Sequence, residues 1–362
     1  MKIGIIGIGR LGMCMAITLR NAGHEVIGVD NNLKLIKSLS DGTYYSSEPG
    51  VQQELLNLNN ITFTSDINDV LSDDIELLYT FVSTPSKPDG SFNHDSIEEI
   101  ISKLEKKGVR RKKVNFIIGS TVMPGYSDSV SNRLNELNYS IVYNPEFIAQ
   151  GSILSDLSRP DQVLIGESNK ESGDLVESVY KSFLKNEPVF CRMSLVSAEL
   201  TKLATNCFLT TKISFANAIG DLAKGLGANP EDVLKAIGSD SRIGNKYLKY
   251  GFGFGGPCFP RDNQALISVA KNVNMPLHIA EATIKVNNDH LLFQLNEHLE
   301  KSSEEYIFDY VSYKPGTDIL EESQQLKLAV KLVENGKKVV ILNSELVKNQ
   351  LEDLYPGYFS FQ

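Results

Sequence analysis

The chain opens with MKIGIIGIGRLG, residues 1–12, in which a short apolar run leads directly into the pattern Gly-x-Gly-x-x-Gly. A strand, a glycine turn and a helix in this order begin a dinucleotide-binding unit. Gly7 would make the tight turn, Gly9 would let the backbone approach a pyrophosphate, and Gly12 would let the helix pack on the strand. Without a ligand, the same residues would form only a tight strand-to-helix turn.

Asp30 ends the next strand-like run, residues 25–29. Its carboxylate would accept hydrogen bonds from the adenosine ribose hydroxyls, and it would repel a 2′-phosphate. The two features together therefore predict a site for NAD rather than NADP.

Short apolar runs alternate with helical patterns through the first half of the chain. The predicted strands are residues 2–6, 25–29, 61–64, 76–82, 113–118, 140–142, 162–166 and 188–191. Strands separated by helices form a parallel sheet with both faces covered. Residues 194–226 then read as one long helix, followed by a helix capped by Asn229, a glycine-rich loop at 251–256, and helices near 262–271 and 276–301. Residues 306–342 return to a strand, helix and strand, so we predict an α/β fold.

Composition excludes several classes of function. The 362 residues include 36 basic and 45 acidic side chains, which give a net charge of −9. A nucleic-acid-binding surface needs a dense positive field, so this balance argues against one. The four cysteines form neither a CxxC pair nor a Cys/His cluster, so we expect no metal site and no disulfide framework. The longest apolar stretch, 75–82, is too short to span a membrane. We expect a cytoplasmic protein with no membrane or nucleic-acid partner.

Cys258 lies in GFGGPCFPRD, residues 253–262. A lone cysteine is more often a buried apolar residue than a nucleophile. Here a helix is predicted to begin directly after it and Arg261 adds positive charge, and both features favour a thiolate. Asp262 would hydrogen-bond a neighbouring base or orient a water. The residues alone leave both interpretations open.

Lys202 and Asn206 are four residues apart and share one face of the predicted long helix. A solvated polar face is the ordinary interpretation. The flanking residues are apolar enough for a buried helix, however, where an ammonium and an amide would need partners. Such a pair would bind a substrate oxyanion.

Three further segments follow predicted strands, at the sheet edge where open α/β folds bind ligands. Glu146, in Asn144-Pro145-Glu146-Phe147, is a candidate general base or an ordinary loop glutamate. The hydroxyl side chains of Ser83-Thr84-Pro85 and Ser120-Thr121 would pack beside a cofactor or cap helices.

Eight segments in this order resemble the UDP-glucose/GDP-mannose dehydrogenase family. They are the glycine pattern with Asp30 and residues 46–50, 83–86, 119–122, 144–147, 198–206, 240–244 and 253–262. The resemblance implies a Rossmann-type NAD-binding domain at 1–193, a central long-helix dimerisation region with the catalytic cysteine loop at 194–302, and a C-terminal α/β nucleotide-sugar-binding domain at 303–362. We expect that last domain to be shorter than is usual in the family.

The resemblance also implies a reaction. The C6 hydroxyl of a nucleotide sugar, with UDP-glucose or a related UDP-hexose expected, is oxidised to a carboxylate with two NAD molecules. The residue matching Cys258 captures the intermediate aldehyde as a thiohemiacetal. A second hydride transfer gives a thioester, which water hydrolyses.

The family pattern assigns supporting roles to other positions. Lys202 and Asn206 would stabilise charge on the reacting oxygen, Glu146 with Thr121 would position or deprotonate water, and Asp262 would assist proton transfer. The implied cofactor contacts are Gly7, Ile8, Gly9, Arg10, Leu11, Gly12, Asp30, Ser83, Thr84, Pro85, Ser120, Thr121 and Gln150. The implied substrate contacts are Glu146, Phe147, Lys202, Asn206, Arg242, Tyr250, Phe252, Gly253, Gly255 and Lys314. Arg242 would reach the substrate of a neighbouring subunit, which implies a homodimer.

Some positions depart from the family pattern. Gln150 stands where the family usually has Glu, and Ala218 replaces a Glu common in the long helix. Glu321 occupies the place of an arginine that faces NAD phosphate, so NAD binding should weaken unless Glu321 points to solvent. Glu321 and the expected shortening of the C-terminal domain support an alternative, a weak or inactive NAD-binding homologue with a partner-binding role. A third reading is a β-hydroxyacid dehydrogenase, a two-electron enzyme without the nucleophilic cysteine.

Overall fold

The computed structural model describes residues 1–301 and 303–362, and these residues divide into two compact units, 1–202 and 203–362. The first unit is built on a sheet of eight strands, in the order β3-β2-β1-β4-β5-β6-β7-β8. The strands are β1 (Lys2–Ile6), β2 (Glu25–Val29), β3 (Ile61–Thr64), β4 (Leu77–Thr80), β5 (Val114–Ile118), β6 (Tyr139–Tyr143), β7 (Gln162–Glu167) and β8 (Val189–Met193).

The sheet is dominated by parallel pairs. Strands β1 to β6 pair in parallel, whereas β7 pairs antiparallel with β6 and parallel with β8. The connection from β6 to β7 contains only a six-residue helix, Ile153–Ser158, and β7 runs back along β6. The predicted α/β class with an N-terminal parallel sheet is confirmed. Strand order reverses between β1 and β4, which is where open α/β sheets bind dinucleotides.

Helices cover both faces of this sheet. They are α1 (Arg10–Asn21), α2 (Leu33–Ser40), α3 (Val51–Glu54), α4 (Asp95–Lys107), α5 (Tyr126–Leu134), α6 (Ile153–Ser158) and α7 (Lys170–Lys181). Ile3 and Ile5 join one buried cluster with residues of α1, α6 and α7, while Ile6 joins a second cluster with residues of α4 and α5. Burial on both faces explains why the strands read as continuous apolar runs.

The second unit is mainly helical and ends in a small sheet. Its elements are the long helix α8 (Leu195–Gly225), which begins in the first unit, then α9 (Pro230–Gly238), α10 (Phe259–Asn272), α11 (His278–Glu300), β9 (Glu305–Phe308), α12 (Gln324–Glu334), β10 (Lys338–Ile341), α13 (Lys348–Leu354) and β11 (Ser360–Phe361). The three strands are parallel, in the order β11-β10-β9. Side chains of α11 and α12 form the core with this sheet.

The sequence located α8 to within one residue at each end, and the Asn229 side chain caps α9 by accepting a hydrogen bond from the Glu231 amide. The sequence did not indicate α13 and β11, which are seven and two residues long. Elements of that length are too short to show a hydrophobic period. Across residues 1–301 and 303–362, no helix has the length and apolar content to cross a membrane.

Candidate active site

The three glycines of the opening motif have different roles in the turn from β1 to α1. Gly7 has φ +93°, in the left-handed region that favours glycine. A Cβ placed on Gly12 would lie 1.9 Å from the Gly7 carbonyl oxygen, so the helix approaches the strand as only glycine allows. At Gly9 no atom lies within 4 Å of such a Cβ, which leaves open space beside the turn. A tight turn with open space at Gly9, followed directly by a helix N-terminus, fits a pyrophosphate.

Asp30 follows β2 and holds the same turn. Its Oδ2 accepts a hydrogen bond from the Ile8 amide at 2.8 Å, and its Oδ1 accepts one from the Asn32 amide at 2.9 Å. A carboxylate has about four acceptor positions, so these two bonds leave capacity for ribose hydroxyls. The residues present therefore fit the adenosine half of NAD.

Arg10 and Gln150 meet beside this turn. Arg10 donates from Nη1 to Gln150 Oε1 at 3.0 Å. The amide oxygen of Gln150 thus serves as the acceptor where the family pattern has a carboxylate. Gly151, the next residue, donates its amide to the buried Glu48 carboxylate at 2.8 Å. Glu48 lies in the segment 46–50 that resembles the family, and no pattern in the sequence indicated this anchoring role.

The loops after β4 and β5 are joined by hydroxyl groups. Thr84 Oγ1 donates to the Thr121 carbonyl at 2.8 Å, and Ser120 Oγ donates to the Val82 carbonyl at 2.7 Å. Ser83 and the loop around Ser120 therefore lie at neighbouring strand ends, as predicted. The hydroxyls fix one loop to the other rather than capping helices.

Glu199 is a functional candidate that sequence reasoning missed. It is 0% exposed, and its carboxylate accepts the Gly125 amide at 2.6 Å and the Ser127 amide at 2.7 Å, so it caps the N-terminus of α5. Burial raises the pKa of Glu199 even though these amides oppose the rise. The only sequence signal was an acidic residue inside an apolar helical stretch.

His94 supports the same loop from another element. Burial lowers the pKa of His94 to about 4, so its neutral ring accepts the Met123 amide at Nε2 over 3.3 Å. The half-buried His94 and the buried Glu199 therefore hold the part of this loop that follows Thr121.

Glu146 lies after β6 in a desolvated setting. Burial raises the pKa of its carboxyl to about 7, although the Tyr180 hydroxyl and the Lys202 ammonium both favour the charged form. Tyr180 lies within hydrogen-bonding distance of Glu146 Oε1 and 2.9 Å from Asn144 Oδ1. A carboxyl with a pKa near neutrality suits general-base work at physiological pH.

Lys202 is buried, so of the two interpretations that the sequence left open the buried helix face is correct and the solvated polar face is wrong. Its Nζ donates to the Glu146 carbonyl at 2.6 Å and lies 4.2 Å from the centre of the Phe147 ring. The ammonium is thus fixed by a carbonyl and by a cation–π contact. In the first unit the structure brings together Glu146, Phe147 and Lys202.

Cys258 is exposed and stands at the N-cap of the 14-residue helix α10. The Asp262 amide donates to the Cys258 carbonyl at 2.9 Å, which closes the first helical turn. The predicted helix start is confirmed. A helix N-terminus stabilises an anion, so this position favours a thiolate.

Asn206 and Asp262 meet in the second unit. Asn206 Nδ2 donates to Asp262 Oδ2 at 2.6 Å, and both side chains are buried. Burial raises the pKa of the neighbouring Cys207 thiol to about 12, and burial does the same to Cys14. Those two thiols stay protonated and inert, in contrast to the exposed Cys258.

The glycine loop, defined as residues 250–256, precedes Cys258 and is packed tightly within the second unit. A Cβ on Gly253 would lie 2.3 Å from Asn287 Oδ1, and one on Gly255 would lie 2.3 Å from the Glu322 carbonyl oxygen. Phe252 remains exposed to solvent. The loop conformation therefore depends on its glycines.

The remaining positions that the sequence singled out are Arg242, Lys314 and Glu321. Arg242 is exposed and pairs with Asp240 at 2.6 Å. Lys314 follows β9, and its carbonyl accepts the Ser312 and Thr317 hydroxyls. Glu321 has an exposed side chain, and its carbonyl accepts the Gly256 amide at 3.1 Å. Weaker NAD binding was expected unless Glu321 points to solvent. Its side chain is exposed, so its negative charge need not oppose NAD binding.

The sequence profile described as "UDP-glucose/GDP-mannose dehydrogenase family, NAD binding domain" matches residues 1–184, and that of the family's central domain matches residues 196–289. The chain belongs to the UDP-glucose/GDP-mannose dehydrogenase family. It is therefore an oxidoreductase, an NAD-dependent nucleotide-sugar dehydrogenase, and the predicted NAD cofactor is confirmed at the level of the family.

Two curated relatives and one solved structure illustrate the similarity. A putative UDP-glucose 6-dehydrogenase, YtcA of Bacillus subtilis, is 32% identical over 360 residues, 96% of this chain and 82% of the relative. A UDP-glucose 6-dehydrogenase of Rickettsia bellii is 32% identical over 351 residues, 94% and 80% of the two chains. The UDP-glucose dehydrogenase structure from the archaeon Pyrobaculum islandicum superposes with a TM-score of 0.88 at 29% identity, covering 100% of this chain and 85% of that one.

Proposed function

We propose that this dehydrogenase oxidises UDP-glucose at C6 to UDP-glucuronate through a thiohemiacetal and a thioester on Cys258. The observation that carries the proposal is the setting of that thiol, exposed at the N-terminus of α10 while Cys14 and Cys207 are buried. Nucleophilic cysteines occupy settings of this kind, and structural ones are buried and inert. The choice of UDP-glucose rests on the names of the relatives, which are UDP-glucose 6-dehydrogenases.

NAD would be held by the amides around Gly9 and by the Asp30 carboxylate, and when bound it supplies the acceptor for each hydride that the oxidation releases. The chain's own contribution begins with the aldehyde that the first oxidation leaves at C6. The Cys258 thiolate attacks that carbon, a C–S bond forms, and the carbonyl oxygen takes up a proton as a thiohemiacetal. Loss of a hydride from C6 and of that proton gives the thioester.

Hydrolysis completes the reaction. Water adds to the thioester carbon, the C–S bond breaks, and the thiolate leaves as the carboxylate forms. The Lys202 ammonium and the Asn206 amide would stabilise the oxygen that carries negative charge. Glu146, with a pKa of about 7, would take the proton from water, with Thr121 orienting it. Asp262, hydrogen-bonded to Asn206, would assist proton transfer.

Counting reduced cofactor tests this proposal. UDP-glucose with excess NAD should give two NADH per sugar acid, because an alcohol and then a thiohemiacetal are oxidised. Cys258→Ala should form no uronic acid, while the matched Cys191→Ser variant, on β8, should retain turnover. One NADH per sugar, or no turnover of UDP-glucose, UDP-N-acetyl sugars or GDP-mannose, would refute the proposal.

We also propose a homodimer formed through α8. Phe208, Phe215 and Leu222 recur every seven residues and are 64%, 48% and 58% exposed, an apolar stripe on one helix face. In such a dimer, the exposed Arg242 would be free to reach the partner's substrate. Sedimentation should give twice the mass of 40.0 kDa, and Phe215→Glu should halve it. A monomeric wild type that turns over normally would contradict the dimer.

The cytoplasm is the proposed location. The proposed reaction requires Cys258 to remain a reduced thiol, which a reducing compartment ensures. Fractionation of the source cells should recover the dehydrogenase activity with cytoplasmic marker enzymes.

A further inference from the structure

The glycine loop has no regular secondary structure, so side chains from neighbouring helices bond its backbone. Asn217 of α8 accepts the Gly251 amide at 3.1 Å. Asn287 of α11 accepts the Phe254 amide at 2.8 Å and donates to the Phe254 carbonyl at 3.0 Å. The path of the loop toward Cys258 is therefore set by polar residues on two helices.

His290 of α11 is 1% exposed at the centre of this arrangement. Its Nδ1 lies 2.8 Å from Asp221 Oδ2, and its Nε2 lies 2.6 Å from the Gly251 carbonyl oxygen. A carboxylate and a carbonyl are both acceptors, so each contact needs a hydrogen on the ring side. The ring makes both contacts at once only when it carries a hydrogen on each nitrogen, as an imidazolium does.

Tyr250 ties the same carboxylate to the loop. Its hydroxyl donates to Asp221 Oδ1 at 2.7 Å. Burial raises the pKa of Tyr250, and the Asp221 carboxylate adds to the rise, so the phenol stays a donor. A Cβ on Gly220 would lie 1.9 Å from the Tyr250 ring, which shows that the ring packs directly on α8.

The charges around this cluster come from three elements. Asp221 and Lys224 belong to α8, Tyr250 to the glycine loop, and His290 and Glu297 to α11. Lys224 pairs with Glu297 at 2.7 Å and lies 5.1 Å from the centre of the Tyr250 ring. With His290 as imidazolium, the two cations balance the two carboxylates. Loss of the ring proton would leave a net negative charge and set a lone pair against an acceptor.

We propose that His290 is a positioning residue that fixes the glycine loop by donating to the Gly251 carbonyl and to Asp221 at the same time. The functional part of this inference rests on the proposed function, in which Tyr250, Phe252 and the loop glycines contact the nucleotide sugar. Deprotonation of His290 breaks one of the two contacts and loosens the loop. The KM for the nucleotide sugar then rises with pH, with a smaller effect on kcat.

Two measurements on the unliganded wild type test the positioning role of His290 without any turnover. Nitrogen-detected spectra of the ring-labelled protein, which has five histidines, should show His290 protonated at both nitrogens. Amide hydrogen exchange of residues 250–256 should be slow while that state persists and should accelerate at least about tenfold once it is lost. A ring protonated at one nitrogen with the loop still protected would overturn the proposal.

Variants extend the test to catalysis. His290→Gln beside the intact Asp221 should raise the KM at least about tenfold, the factor expected for a lost hydrogen bond to a charged group. In the double variant Asp221→Asn/His290→Gln, the glutamine nitrogen can donate to the Gly251 carbonyl while the glutamine oxygen accepts from the amide nitrogen introduced at position 221, at any pH. This variant should restore the KM and abolish its rise with pH.

His278→Gln is the matched control, because His278 is exposed and also lies beside a carboxylate, that of Glu281 at 3.3 Å. If His290→Gln has the wild-type KM and the wild-type rate of amide hydrogen exchange in the glycine loop, the positioning role of His290 is wrong. Should that variant fail to fold, the double variant and the wild-type ring spectrum decide the question. If the wild type oxidises no nucleotide sugar, the proposed function fails, while hydrogen exchange and the ring spectrum still report on the loop.

Discussion

Replacing Tyr180 by Phe should shift the pH dependence of turnover in a defined direction. The Tyr180 hydroxyl lies within hydrogen-bonding distance of the Glu146 carboxylate and lowers its pKa, against the larger effect of burial. Removing the hydroxyl therefore destabilises the charged form, and the pKa of Glu146 should rise above its value of about 7.

The size of the shift follows from the lost bond. A hydrogen bond to a charged group contributes about 1.5–3 kcal/mol, and part of that energy remains when the Glu146 carboxyl is protonated. A difference of about 1.4 kcal/mol between the two forms corresponds to about one pH unit. If Glu146 acts as the carboxylate, turnover rises with pH through its pKa. The acidic limb near pH 7 should then move about one unit higher in Tyr180→Phe.

The assay is kcat against pH, followed through NADH formation with saturating nucleotide sugar. Tyr139→Phe is the matched control, because Tyr139 is a buried tyrosine at the start of β6 whose hydroxyl is not bonded to Glu146. Its acidic limb should stay in place. An unmoved limb in Tyr180→Phe, or one at lower pH, would refute the role given to Glu146.

Further predictions concern stability, cofactor binding and reactivity. Glu146→Gln should stabilise the fold above pH 7 by up to about 3 kcal/mol and leave its stability unchanged near pH 4. The reason is that folding raises the pKa of the Glu146 carboxyl from 4.5 to about 7, so the wild type loses stability as the pH rises through that window. Urea unfolding at both pH values measures the difference. Gly12→Ala should destabilise the fold because of the 1.9 Å clash, whereas Gly9→Ala should fold normally and weaken NAD binding by calorimetry. Glu199→Ala should cost about 2–4 kcal/mol in unfolding free energy by leaving the buried Ser127 amide and the part-buried Gly125 amide without their acceptor. Iodoacetamide should label Cys258 before the other cysteines, as read by peptide mass spectrometry.

Local patterns were enough to predict much of the fold and part of the site. The glycines of the opening turn, the ends of α8 and the helix start after Cys258 depend on neighbours within a few residues, and the structure has them as expected. The apolar residues around Lys202 allowed burial, but they left a solvated polar face equally open until the structure showed the side chain buried. Each of the other features carries its own signal in the sequence.

The partners of these residues could not be predicted, because they are distant in sequence. Glu199 caps a helix more than 70 residues earlier, and His290 meets Asp221 across 69 residues. In the sequence each looks like an ordinary polar position on a helix, and only the packing of elements shows which backbone groups it satisfies.

The most direct test of the central claim is mass spectrometry of the enzyme quenched during turnover of UDP-glucose with NAD. We predict a sugar adduct on the peptide containing Cys258, present while substrate lasts and absent after it is consumed. Formation of the uronic acid at the wild-type rate by Cys258→Ala, with no adduct on the wild-type thiol, would contradict covalent catalysis by this residue.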